Sequence, residues 1–139
     1  MIKNRFHLAF PVHDLKISKE FYTTVLSCEL GRESENWVDF NFYGHQIVAH
    51  LAPEDCKSYK VNVVDEDKIP SFHFGLILEW SIWETLYKKL QSMKIKFFIN
   101  PKIRFVNQNG EQGTFFIKDP SGNVLEFKSF KDFDYIFTK

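Results

Sequence analysis

The 139-residue chain has no apolar run approaching the roughly 18 to 20 residues of a membrane span, so no spanning helix is expected. The opening Met1-Ile2-Lys3-Asn4-Arg5 lacks a long apolar segment and a small-residue cleavage site, and no signal peptide is read there. Net charge is lacking too. Its 18 basic residues cancel its 18 acidic ones, which excludes a broad nucleic-acid or anionic-membrane surface. There are two cysteines, Cys28 and Cys56, in no CxxC pattern. A disulfide framework is therefore excluded, and a reducing, cytoplasmic setting is the expectation. Each thiol is read as a structural, buried group. GxGxxG, Walker A, HExxH and GxSxG signatures are missing, so no nucleotide cradle, zincin helix or nucleophile elbow is expected.

What is present points to one globular domain over 1–139. The length matches a common domain of roughly 150 residues. With 44% apolar residues, the chain can bury a core without staples. A charged fraction of 26% is too ordinary for a disordered tail. Phenylalanine is the anomaly: 16 residues, an enrichment that suits strands and a packed β interior.

The chain repeats itself at an offset of 66 residues. Phe6-His7-Leu8-Ala9-Phe10 matches Phe72-His73-Phe74-Gly75-Leu76. A helix-like run follows each copy. In the first, Ile17, Phe21 and Val25 fall at i, i+4, i+8, with Tyr22 and Leu26 beside them. In the second, Ile82, Leu86 and Leu90 keep that spacing beside Trp83 and Tyr87, and Ser81 with Glu84 forms a capping-box signature. Strands are expected next. They are Glu29–Ser34, Trp37–Phe42 and His45–Leu51 in the first half, and Lys96–Asn100, Gly113–Lys118 and Asn123–Phe130 in the second. The fold class is α+β, two βαβββ modules over about 5–52 and 71–130. The polar, charged stretch 53–70 is read as a linker loop, long enough to be functional or mobile.

Five histidines are the chemical candidates. His7 and His73 occupy equivalent positions, and in a pseudo-symmetric pair of modules their strands face each other across the two-fold. Ala9 and Gly75, two residues on, leave room on the same faces. Glu126 lies in the last strand between Leu125 and Phe127, either solvent-facing or completing a site. Two histidines and a carboxylate with open positions suit non-haem Fe(II), and also hold Mn(II), Ni(II) or Zn(II). His50, aligned with Glu126 by setting Ile47-Val48-Ala49-His50-Leu51 against Asn123-Val124-Leu125-Glu126-Phe127 and at even offset from its turn glycine like Glu126, is a fourth ligand, an acid/base group beside the metal, or a structural residue. His45 points the other way, and His13 sits in an exposed loop. Arg104, Glu111 and Gln112, before the seventh strand of the repeat, are either a solvated loop or weak pocket candidates.

These segments resemble the vicinal oxygen chelate superfamily, which includes glyoxalase I, bleomycin- and fosfomycin-resistance proteins and extradiol dioxygenases. The resemblance is carried by His7, Val12-His13-Asp14-Leu15, Phe21-Tyr22, Val25-Leu26, Phe72-His73-Phe74-Gly75 and Asp119-Pro120-Ser121-Gly122-Asn123-Val124-Leu125-Glu126. It implies two modules closing into an open eight-stranded barrel around a metal. The chain looks most similar to small extradiol-dioxygenase-like proteins, which makes His7, His73 and Glu126 the expected iron ligands and His50 the expected acid/base group. The tyrosine that extradiol enzymes place ten residues before the glutamate is Phe116 here, taken as a pocket residue with Arg104 and Gln112. The implied function is a metal-dependent, dioxygenase-like enzyme for a small catechol-like substrate. The alternatives are a glyoxalase-type lyase or isomerase and a resistance-type sequestering protein. A homodimer is expected, with no nucleic-acid or membrane partner.

Overall fold

A computed structural model describes residues 3–139, which divide into two units. The first comprises the residues up to Ser58 together with the short segment Asp119–Asn123. Its strand β1 (His7–Val12) alternates, with Phe10 and Val12 buried and His7 exposed. After Asp14, whose carboxylate caps the helix by accepting from Ile17 N–H at 3.0 Å, comes α1 (Leu15–Glu20), which loosens into one π turn over Phe21–Val25. Strands β2 (Glu29–Glu33), β3 (Trp37–Phe42) and β4 (His45–Leu51) complete a sheet of order β1-β4-β3-β2, with β1 parallel to β4. One face carries Phe10, Val12, Val38, Phe40, Ile47 and Ala49 into the core, where Tyr22 stacks between Phe10 and Phe40 at centroid distances of 5.5 and 5.0 Å. The opposite face carries His7, Ala9, Asp39, Asn41, Gln46, Val48 and His50, because cross-strand partners share a face.

The expected stripe Ile17–Phe21–Val25 is displaced by one residue. Ser18, Tyr22 and Leu26 are the buried row, and Ile17 is exposed. Tyr22 wins the interior because its hydroxyl has a buried partner there, Asp119 at 2.8 Å. Asp119 also accepts from the amides of Ser121 and Asn123 and from Asn123 Nδ2, and Nδ2 reaches Pro11 O as well.

The second unit, Tyr59–Lys118 with Val124–Lys139, repeats the plan. Strand β7 (Phe74–Ile77) leads to α2 (Trp80–Ser92) and then β8 (Phe97–Arg104), β9 (Gln112–Lys118) and β10 (Val124–Phe130), in order β7-β10-β9-β8. The capping box expected at Ser81 and Glu84 is not used, since α2 begins one residue earlier with Glu79 as its N-cap. Trp83, Leu86 and Leu90 face inward, whereas Ile82 is exposed. Trp83 donates to Phe127 O at 2.9 Å, and its ring lies where a Cβ on Gly113 would stand. Phe115 and Phe127 stack beside it at 5.4 Å. Each such buried ring contributes on the order of 1.5–3 kcal/mol.

The stretch read as a loop carries a short 3-10 turn and a hairpin, β5 (Val61–Val64) with β6 (Asp67–Pro70). The hairpin packs Ile69 on Phe116 and Val124, on the face of the second sheet that also carries Glu126. Arg104 fixes it, bonding Asp67 Oδ2 at 2.6 Å and Val64 O at 3.1 Å. Among the described residues no helix is long and apolar enough to cross a membrane.

Candidate metal centre

In the second sheet, β10 places Glu126 directly beside Gly75 of β7. His73 stands just before β7. Its Nε2 lies 3.3 Å from Glu126 Oε1, and its Nδ1 lies 2.9 Å from Pro70 O, the last residue of β6. A carbonyl only accepts, so Nδ1 carries a proton and Nε2 is the nitrogen turned to the carboxylate. The second carboxylate oxygen, Oε2, accepts from Thr114 Oγ1 at 2.6 Å, and Thr114 is fully buried. The Phe116 ring stands edge-on to His73 at 5.4 Å, walling the pair with apolar surface. The Glu126 hydrogen bond holds the His73 pKa above its ordinary value, against a smaller downward pull from burial. Burial alone pushes the Glu126 carboxyl up, but the His73 and Thr114 hydrogen bonds together outweigh it and leave it below the usual carboxylate value.

His7 lies in the first unit, opposite Gln46 of β4. Its Nδ1 is 2.7 Å from Gln46 Oε1, while Gln46 Nε2 donates to Asp39 Oδ2 at 3.2 Å. A carboxylate only accepts, so the amide nitrogen must face Asp39 and the amide oxygen must face His7. His7 therefore donates through Nδ1, which leaves Nε2 as its nitrogen without a protein partner bond among the described residues. Both histidines thus have Nδ1 fixed by an oxygen acceptor, which is how metal-binding imidazoles are oriented. Within either unit, no three His, Cys, Asp or Glu side chains among the described residues gather closely enough to hold a metal. In the second unit, a carboxylate beside an Nε2 is a donor pair that suits a divalent ion.

The strand registers correct one alignment. Ala9, two residues after His7, pairs with Val48, whereas Gly75, two residues after His73, pairs with Glu126. The counterpart of Glu126 is thus Val48, not His50. His50 is exposed, sits opposite Pro11 and Trp37, and stands four residues along β4 from Gln46, about 13 Å. The Arg104 guanidinium, 4% exposed, is engaged with the hairpin, and Gln112 Nε2 donates to Gly110 O. His13 bonds Ser121 Oγ through Nδ1 at 2.7 Å. Thr114, Gln46 and Asp39 were not expected as supports. Polar residues in alternating strands read as solvent-facing, and their roles emerge once the register is known.

The glyoxalase/bleomycin resistance protein/dioxygenase superfamily model matches residues 5–127. The chain belongs to this superfamily. A superfamily protein from Alicyclobacillus acidocaldarius, solved as a crystal structure, is 32% identical with a TM-score of 0.82, the alignment covering 97% of each chain. The fosfomycin resistance protein FosX of Listeria monocytogenes is 13% identical, covers 97% of this chain and 98% of its own, and has a TM-score of 0.69. Lactoylglutathione lyase from Agrobacterium tumefaciens is 15% identical over 92% and 94%, with a TM-score of 0.64. The last two share the fold. No curated protein matches the chain. The superfamily's two βαβββ modules are the two sheets described above.

Proposed function

We propose that this superfamily member is a metal-dependent enzyme acting on a small substrate with adjacent oxygens, of the extradiol-dioxygenase-like type. The observation that carries the reading is the His73–Glu126 pair, an Nε2 turned to a carboxylate with Nδ1 tied to Pro70 O. His7 is the third ligand in this proposal, prepared by Gln46. A divalent ion bound by them supplies Lewis-acid activation and a template for the chelating oxygens. Fe(II) is the proposed ion, with Mn(II), Ni(II) or Zn(II) as substitutes in the same donor set.

The chain's own residues have definable parts. Thr114 holds Oε2 of Glu126, which leaves Oε1 as the ligating oxygen. Phe116 offers an apolar wall and no hydrogen bond to a substrate oxygen. His50, exposed on the same sheet face as His7, is the proposed acid/base group. The proposal takes the protein as a cytoplasmic homodimer with no nucleic-acid or membrane partner.

A glyoxalase-type reaction is the second reading. It is disfavoured because the register counterpart of Glu126 in the first sheet is Val48, which has no ligating atom to add a fourth donor. Sequestration of a small molecule without turnover is the third. Anaerobic Fe(II) titration of metal-free protein, wild type beside Glu126→Ala, tests the centre. One equivalent bound by the wild type and lost in the variant is expected. No binding of Fe(II), Mn(II), Ni(II) or Zn(II) by the wild type would remove both enzyme readings. Oxygen uptake with a panel of catechols then separates the dioxygenase from the lyase.

A further inference from the structure

A cleft of about 290 Å³ opens in the first unit, on the sheet face that carries His7. Gln46 lines it and also accepts from His7. The other polar groups are Arg5, Arg32, Asp39, Asn41 and His45. Asp39 is the one anion among them, and it is already engaged. Its Oδ2 accepts from Gln46 Nε2 at 3.2 Å and has Arg32 Nε at 3.7 Å. Arg5, with no ion-pair or hydrogen-bond partner among the described residues, leaves the cleft one positive charge in excess.

The neutral donors add to this. Phe6 N–H donates to His45 Nδ1 at 3.0 Å, so that nitrogen is an acceptor and His45 carries its proton on Nε2. Gly44 N–H donates to Asn41 Oδ1 at 2.7 Å, which leaves the Asn41 amide hydrogens for another acceptor. The cleft is thus rich in donors with one acceptor already used. Its volume lies near the lower end of small-ligand sites, roughly 300 Å³. Two guanidiniums with fork geometry bind oxyanions better than any other side-chain set.

We propose that this cleft takes the oxyanion group of the substrate, a carboxylate or a phosphate-type group. On the reading of His7 as a ligand, the same substrate then has its chelating oxygens one to two strand spacings away, about 5–10 Å. The substrate class is therefore a small acid bearing adjacent oxygens at its far end, rather than a neutral catechol. Gln46 couples the two ends, since it holds His7 with one amide atom and Asp39 with the other.

The test uses metal-free, isotopically labelled protein at constant ionic strength. Inorganic phosphate and benzoate are titrated separately, and the Arg5 and Arg32 Nε–H, His45 and Gln46 side-chain signals are followed by NMR. Saturable shifts are expected with at least one anion, and the anion that saturates assigns the group. Arg5→Gln with Arg32→Gln should weaken that binding by at least about tenfold, whereas Lys16→Gln, removing the same charge elsewhere in the unit, should leave it unchanged. Glu126→Ala should also leave it unchanged, so this result stands apart from the metal titration. Linear, unsaturated shifts with both anions, or saturable binding that the double variant retains, would overturn the proposal.

Discussion

Thr114→Val removes one hydroxyl and keeps the residue's volume and its suitability for a strand. In the native protein that hydroxyl donates to Glu126 Oε2 at 2.6 Å from a fully buried position. A hydrogen bond to a charged group contributes about 1.5–3 kcal/mol. The Glu126 side chain is 15% accessible, so water replaces part of the loss, and the lower end, about 1.5 kcal/mol, is the expected destabilisation of metal-free protein. The carboxylate also loses the support that fixes which oxygen faces His73, and supports of this kind are worth about 10- to 100-fold in metal affinity. Urea denaturation gives the first quantity, and calorimetric titration with Fe(II) or Mn(II) gives the second. If Thr114→Val unfolds at the wild-type midpoint and binds metal with unchanged affinity, Thr114 does not position Glu126 and the account of the centre fails.

Glu126→Gln should lower the His73 pKa towards the ordinary 6.5, read from imidazole NMR shifts. The raised folded value means that His73 contributes stability fully below about 6.5, and this is lost as pH rises through the folded pKa. Glu126, held low, contributes above its unfolded pKa and loses that contribution as pH falls through its folded one. The wild-type advantage over Glu126→Gln should therefore peak between the two folded values, and a pH-independent difference in urea midpoints would contradict the pairing. Gly75→Ala should destabilise by more than about 3 kcal/mol or abolish folding, because a Cβ there runs into the Glu126 carbonyl oxygen; a wild-type urea midpoint would refute the β7–β10 register. Asp119→Ala should cost about 3 kcal/mol or more in thermal or urea unfolding, since Tyr22 Oη and Asn123 Nδ2 both lose an acceptor; a loss under about 1 kcal/mol would mean that water replaces the carboxylate.

Most of the architecture was legible because alternation is a local signal. Trp37–Phe42 and His45–Leu51 are read from period two alone and have those bounds in the structure. The hairpin over 61–70 was hidden by its charges. Its tight turn uses Asp65 and Glu66, both at positive φ, where glycine or asparagine would have signalled it. The α1 face was read one residue out of phase, beside the π turn that follows it, whereas on α2 Leu86 and Leu90 are buried as read and Trp83 takes the place of Ile82. At the candidate centre, His73 was read from the repeat and Glu126 from its place in the last strand. His50 was misaligned because 47–51 was set against 123–127 on pattern alone. Its count from Gly44 is six and that of Glu126 from Gly122 is four, so parity agreed while the row was two residues out, as the pairings of Ala9 and Gly75 show. Gln46 and Thr114 are invisible to any local rule, since their partners are 39 and 12 residues away.

The segment Asp119–Asn123 belongs to the first unit, although the strands on either side of it belong to the second. Its bonds to Pro11, His13 and Tyr22 span 112, 108 and 97 residues. During synthesis from the N-terminus, the first module therefore waits for most of the second before Tyr22 gains its buried acceptor. Once the chain up to Ser58 has emerged, the first module has its apolar faces but its polar interior is unfinished. Such a chain is exposed to aggregation until residue 123 emerges. The two modules are copies in pattern but not in independence, and a gene encoding the first alone should yield a poorly folded product.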